Sequence, residues 1–298
     1  MKATKPSSDE ITRIAAPGSR IAIIAGSGFL PVEVASSLVA AGQRPAVVVV
    51  EGEGVDPDDF PGCDMGSIRI EQFADLVKVL RGFGATHVVL AGGIARRPSL
   101  GAVPWSLGLL RLLPRVVAGL RKGDDGLLRA LVGLIEERGI KVVGAHEIAP
   151  DLLATEGAMG KVRPTAADER NIEAGIKAAR AIGALDIGQA AVAIGGRVVA
   201  LEGVEGTDGL LERVRELRSN GRIKAHRRGV LVKCAKPGQE LRADLPAIGP
   251  QSADAVHAAG LAGIAVEAGR SLVLQHKALI ERADALGLFV VGFSQERM

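Results

Sequence analysis

The 298-residue sequence has no tyrosine, one tryptophan and only six phenylalanines. So few aromatic faces leave almost nothing on which unpaired bases could stack, and a single-strand or RNA-binding role is not expected. Charge argues the same way: 37 Lys and Arg against 34 Asp and Glu leave a net +3, far from the clustered excess of a dedicated nucleic-acid binder. The cysteines, Cys63 and Cys234, are only two and lie far apart. They make no disulfide scaffold and lack the spacing of a zinc knuckle, so reduced thiols in a cytoplasmic protein are expected. No run approaches the roughly 18 consecutive apolar residues that a spanning helix needs, and any membrane contact is expected to be peripheral. The first 19 residues are polar, without the apolar centre of a secretory signal, and read as a flexible tail.

What is present is apolar and glycine-rich, with 47% hydrophobic residues and 39 glycines, enough for two cores. Ile21 to Ala25 is an apolar run that ends in Gly26-Ser27-Gly28, and Pro31 then stands in the first turn of a helix. Val47 to Val50 is a β-branched strand, Glu71 to Phe83 is helical in pattern, and His87 to Leu90 is a strand ending in Ala91-Gly92-Gly93. Such alternation implies a parallel sheet covered by helices, with ligands bound beyond the carboxyl ends of the strands. The first glycine loop, with Glu51 at the next strand end, also suggests a dinucleotide site and hence an NAD(P)-dependent oxidoreductase. Pro31 stands where the third glycine of that fingerprint belongs, which counts against it.

Between Trp105 and Lys122 leucines alternate with Arg111, Arg115 and Arg121. That composition suits a core helix with snorkelling arginines, or a surface facing acyl chains. Arg121-Lys122-Gly123-Asp124-Asp125 precedes a helix from Leu127 to Glu137, where either aspartate could cap. Lys141 to Val143 is a short strand leading to His146, and Pro150, Gly157, Gly160 and Pro164 loosen the chain, so 151–166 is expected to link two domains. Beyond it come a helix from Asp168 to Ile182 and a hairpin of Gln189 to Ile194 with Val198 to Glu202. A helix follows that Thr207 or Asp208 could cap. Gly263 to Val266 and Ser271 to Leu274 look like a second hairpin, joined at Ala268-Gly269-Arg270.

The most informative stretch is GVLVKCAKPGQELRADLPAIGP, residues 229–250. A buried-looking strand ends at Lys233 and Lys236, and a proline-stiffened loop then carries Asp244. Lysines offset phosphate charge and a carboxylate can hold a hard cation or orient water, so this pattern suits a phosphate-and-metal site.

Taken in order, AGSGFLP, RKGDD, GAHE, LDIGQ, EGTD, VLVKCAKPGQELRADLPAIG, GLAGIAVEAGR and LGLFVVGF span Ala25 to Phe293. This series resembles the LpxI-type UDP-2,3-diacylglucosamine pyrophosphohydrolases. The resemblance implies two α/β domains with substrate between them: a Rossmann-like parallel-sheet domain over 20–150, and a second α/β domain with a mixed sheet over 167–298. It implies hydrolysis of a lipid-linked nucleotide sugar to UMP and 2,3-diacylglucosamine 1-phosphate in lipid A synthesis, by water attack on the α-phosphate with Mg or Mn. A homodimer in peripheral contact with the inner membrane is also implied. The family's D-L-P aspartate falls on Asp244, as catalytic group and metal ligand. Substrate contacts are expected from Gly26, Ser27, Gly28, Phe29, Gly93, Lys122, Asp124, Gln189, Thr207, Asp208, Lys233 and Lys236. Gly93 stands where an asparagine is more frequent, leaving only backbone contacts there. A non-catalytic nucleotide-sugar-binding protein is the remaining alternative.

Overall fold

The computed structural model describes residues 18–94, 123–224 and 228–296. The segment from Trp105 to Lys122 and most of the N-terminal tail lie outside them, and so does the side chain of Asp124. The chain forms two compact units, 1–150 with 240–244, and 151–239 with 245–298.

In the first unit β1 (Ile21–Ala25), α1 (Leu30–Ala40), β2 (Ala46–Val50), β3 (Asp64–Ile68), α2 (Leu76–Gly82), β4 (His87–Ala91), α3 (Gly123–Glu136), β5 (Lys141–Val143) and α4 (Ala145–Ile148) follow one another. The strands form a five-stranded sheet in the order β3-β2-β1-β4-β5, and every pairing in it is parallel. β1 is buried throughout, because a parallel sheet is covered on both faces and its central strands can be wholly apolar. Its side chains divide accordingly: Ala22 and Ile24 join one core with Val48, Leu80 and Val88, while Ile21 and Ile23 join another with Val34, Leu38 and Val89. Each such fully buried Ile or Val contributes roughly 1.5–3 kcal/mol of transfer free energy.

The second unit runs through β6 (Gly157–Ala158), α5 (Ala166–Ala184), β7 (Ala190–Ile194), β8 (Arg197–Leu201), α6 (Gly206–Ser219), β9 (Gly229–Lys233), β10 (Ala247–Ile248), α7 (Pro250–Ala258), β11 (Gly263–Glu267), β12 (Leu272–Val273), α8 (His276–Ala285) and β13 (Phe289–Phe293). Its main sheet has the order β6-β13-β11-β9-β7-β8. The sheet is mixed: β13, β11 and β9 are parallel, and β7, β8 and β6 join antiparallel. Both α/β units thus have the expected sheet types. α5 starts with a reciprocal cap in which Thr165 Oγ1 accepts from the Asp168 amide at 3.3 Å and the Thr165 amide donates to Asp168 Oδ2 at 2.9 Å. The helix lays Ile172, Ile176 and Ala179 against Val230 and Val232.

Several details depart from the sequence expectation. The supposed hairpin at Ala268-Gly269-Arg270 does not form, because β12 leaves the main sheet and pairs in parallel with β10. Residues 151–166, expected to be a linker, carry β6, whose two residues extend the edge of the second sheet at β13. β3 has little apolar signature; as an edge strand it is held mainly by backbone pairing with β2, with Ile68 joining the core. The helical stretch after it begins as a 3-10 turn, Ile70–Asp75, before α2. α3 starts at Gly123, so Asp124 and Asp125 fall in its first turn and not at its cap.

Candidate active site

In the first unit, the sheet order reverses between β1 and β4, and both glycine loops emerge there at the carboxyl ends of the two strands. Such a switch point is the crevice where open α/β sheets take ligands. The loops are tied to each other. The Ser27 amide donates to Gly93 O at 2.7 Å, the Gly93 amide returns to Ser27 O at 3.0 Å, and the Gly26 amide donates to Ala91 O at 2.8 Å. Ser27 Oγ adds a bond to Gly93 O at 3.0 Å. The amides of Gly26 and Ser27 are therefore engaged within the loop pair. At the head of α1 the first-turn amides lack intrahelical acceptors, as at any helix start, and exposed Gly28 and Phe29 lead into it.

Gly28 has φ +93°, and a Cβ built on it meets nothing within 4 Å. Gly28→Val should therefore disturb the loop through backbone strain at its positive φ, at a cost of about 1–2 kcal/mol. If the loop binds substrate, KM in the hydrolysis assay should rise several-fold before kcat falls. A stable Gly28→Val protein with unchanged KM would make the loop purely structural.

The segment carrying Asp244 also belongs to the first unit. Arg242 anchors it, with Nη1 bonded to Glu136 Oε1 of α3 at 2.7 Å and Nε and Nη2 to the two oxygens of Glu240 at 2.8 and 2.9 Å. Ala243 packs on the core beneath β1, and the Asp244 amide donates to Glu240 O at 3.0 Å. Asp244 thus ends a short turn held by an ion-pair triad. The hydrogen bonds from Arg242 hold the Glu240 carboxyl below the usual carboxylate range, and Glu240 in turn raises the Arg242 guanidinium. A depressed carboxyl stabilises the fold above its unfolded pKa and loses that contribution as pH falls through its folded value. The 240–244 anchor should accordingly weaken below about pH 4. Amide exchange at Asp244 measured across that range should accelerate in the native protein and be pH-independent, beyond the intrinsic chemistry, in Glu240→Gln.

In the second unit the residues expected to contact substrate gather at one end of the sheet. The carboxyl end of β9 carries Lys233, which lies opposite Ala190 at the start of β7. Lys233 is buried and donates from Nζ to Ala247 O at 3.0 Å, tying β10 to the strand end. Lys236 Nζ pairs at 2.7 Å with Asp186, a non-glycine residue at φ +54°. Both lysines are therefore already engaged. Buried Glu267, at the end of β11, accepts the Ala235 amide at 3.1 Å and lies 3.5 Å from Arg180, fixing the chain between the two lysines. Glu202, also buried, accepts the Gln189 amide at 2.7 Å and the Thr207 hydroxyl at 2.6 Å. Thr207 therefore does not cap α6, and Asp208 stands exposed in its first turn. A groove of about 660 Å³ beside β13 is lined by Glu156, Arg163, Glu169, Phe293 and others, none of them among the expected substrate contacts.

Asp186, Glu202 and Glu267 were missed as site-building residues. Asp186 stood in LDIGQ and Glu202 three residues before EGTD, so their positions were visible; burial of a carboxylate is not a sequence signal. Cys234 is no nucleophile, since burial pushes its thiol up to about 12 and Glu267 adds to this. Among the described residues no group of three or more His, Cys, Asp or Glu is placed to hold a metal ion, and no helix is long and apolar enough to cross a membrane.

Models of the LpxI N-terminal and C-terminal domains match residues 20–152 and 155–291. The chain belongs to the LpxI family. It is 44% identical over 282 residues to UDP-2,3-diacylglucosamine pyrophosphatase LpxI of Caulobacter vibrioides, covering 93% of this chain and 99% of that one. Among solved structures, UDP-glucose 4-epimerase from Brucella ovis in complex with NAD aligns over 40% of this chain and 33% of its own, at 19% identity and a TM-score of 0.25. That likeness is too slight to carry an argument. Membership of the LpxI family favours a hydrolase over the dinucleotide-dependent reading of the first glycine loop.

Proposed function

We propose that this protein hydrolyses UDP-2,3-diacylglucosamine to UMP and 2,3-diacylglucosamine 1-phosphate, a step of lipid A synthesis. The observation that carries the reading is the match along both domains to a relative named for that pyrophosphatase activity. In this account Asp244 orients the attacking water and takes its proton. The turn fixed by Arg242, Glu136 and Glu240 holds that carboxylate in place. Gly28 and Phe29 present the head of α1 to the diphosphate, where an anion is favoured by free amides and the helix dipole.

The described residues build no metal cage of their own, yet a hard cation held by one carboxylate together with substrate phosphates is a common arrangement. Asp244 fits that role, for Mg or Mn. When bound, the ion would offset the charge of the diphosphate. Two acyl chains on the substrate also support peripheral contact with the cytoplasmic face of a membrane, and a homodimer belongs to the same proposal.

Hydrolysis in isotopically labelled water tests the reading. Labelled product is expected, in UMP for attack at the α-phosphate and in the sugar phosphate for attack at the β-phosphate. EDTA should abolish turnover and added Mg or Mn restore it. Unchanged substrate with a folded, Mg-supplied protein would overturn the proposal.

A further inference from the structure

The polar contacts around Glu202 determine which kind of substrate atom Thr207 can meet. Glu202 lies just past β8, only 5% exposed, and both its oxygens are committed. Oε2 accepts the Gln189 amide at 2.7 Å, and Oε1 accepts the Thr207 hydroxyl at 2.6 Å. A hydroxyl has one proton and two lone pairs. With its proton held by Glu202, Thr207 Oγ1 has only lone pairs to offer. Gln189 is fixed as well: its amide is held by Glu202, and its carbonyl accepts from the Cys234 amide at 2.9 Å. Its side-chain Oε1 is buried with no hydrogen-bond partner among the described residues, so it too is an acceptor awaiting a donor.

We propose that Glu202 is a positioning residue that makes Thr207 an obligate acceptor, so that Thr207, with Gln189, recognises a hydrogen-bond-donating, uncharged part of the substrate and not a phosphate oxygen. This rests on the nucleotide-sugar reading given above. Phosphate oxygens at neutral pH are themselves acceptors, and an acceptor facing an acceptor repels. A nucleobase N–H or a sugar hydroxyl supplies the donor that both groups require. A buried polar site left without its partner loses the most, because its atoms have already given up water.

Substitution at Glu202 has a directional consequence. In Glu202→Gln the backbone amide of Gln189 cannot turn, so the new carbonyl must face it and the new NH₂ must face Thr207. Thr207 then accepts from residue 202, and its proton turns outward. The shape is kept and the polarity reversed.

Calorimetric titration of the full-length protein with UMP, with 2,3-diacylglucosamine 1-phosphate and with inorganic phosphate tests this. Thr207→Val should lose about tenfold in affinity in one of the first two titrations, naming the nucleoside or the sugar as the donor, and should leave phosphate affinity unchanged. Thr207→Ser, which keeps the hydroxyl, should retain wild-type affinity. Glu202→Gln should weaken the same titration as Thr207→Val, raise KM more than it lowers kcat, and add little in the double variant. Weaker phosphate binding by Thr207→Val, no change in either organic titration, or a folded Glu202→Gln protein that keeps wild-type affinity where Thr207→Val loses it would each overturn the proposal. Should Glu202→Gln fail to fold, the Val and Ser variants of Thr207 decide between the same outcomes. A wild-type protein that turns over substrate while both variants match it refutes this inference alone; a wild-type protein that binds neither organic ligand refutes the functional reading with it.

Discussion

Asp244→Asn is expected to lower kcat by about 10²- to 10⁴-fold while leaving substrate affinity nearly intact, the usual cost of losing a general base or a carboxylate that positions the reacting water. The substitution keeps size and the backbone bond from the Asp244 amide to Glu240 O. It removes only the charge and the proton acceptor. The triad that fixes the turn, Arg242 with Glu136 and Glu240, does not include Asp244, and circular dichroism with thermal melting checks that the variant is folded. Single-turnover release of UMP checks the rate, and titration with substrate checks that binding persists. Near-native turnover in a folded Asp244→Asn protein would move the role elsewhere, with Asp124, Asp125 and Asp208 as the next candidates.

Gly26→Ala should be among the most damaging glycine substitutions in the first unit, together with Gly92→Ala, whose Cβ would meet the Gly26 and Ser27 backbone at a positive φ. A Cβ at this position would run into the carbonyl of Gly93, with the Gly93 carbonyl carbon at 2.9 Å and that of Gly92 at 3.1 Å. These are backbone atoms, so the two loops must separate for the methyl group to fit. The Ser27–Gly93 bonds that close the switch point are then lost. Overpacking of this kind costs about 1–3 kcal/mol, and the thermal midpoint should fall by several degrees for a unit of this size. Activity should fall further than stability, because the head of α1 moves with the loop. Gly28→Ala is the contrast: it has open space around it and pays only for its positive φ. A Gly26→Ala protein as stable and active as Gly28→Ala would contradict the paired-loop account.

Much of this was legible in the sequence, for physical reasons that can be traced. The apolar runs Ile21 to Ala25 and His87 to Leu90 announced central parallel strands because such strands are buried on both faces, and β1 is buried along its full length. β3 could not be read, since this edge strand is held mainly by its neighbour's backbone and buries Ile68 without an alternating apolar pattern. The false hairpin at Ala268-Gly269-Arg270 had good turn chemistry. What sequence cannot supply is the partner, and β12 found β10 across a long separation. For the site, motif position marked Thr207, Gln189 and Lys236, but not what they bond to. Thr207 looked like a helix cap and is instead a donor to Glu202. Lys233 looked like a phosphate ligand and ties down Ala247. The attachment of 240–244 to the first unit was hidden altogether, because Arg242 reaches Glu136 over 106 residues of sequence.

The most direct measurement is a time course of the purified full-length protein with UDP-2,3-diacylglucosamine and Mg, quantifying both products. The account predicts UMP and 2,3-diacylglucosamine 1-phosphate in equal amounts, rising together as substrate disappears. Substrate that persists unchanged before a folded protein, or cleavage that yields UDP and a free sugar, would contradict it.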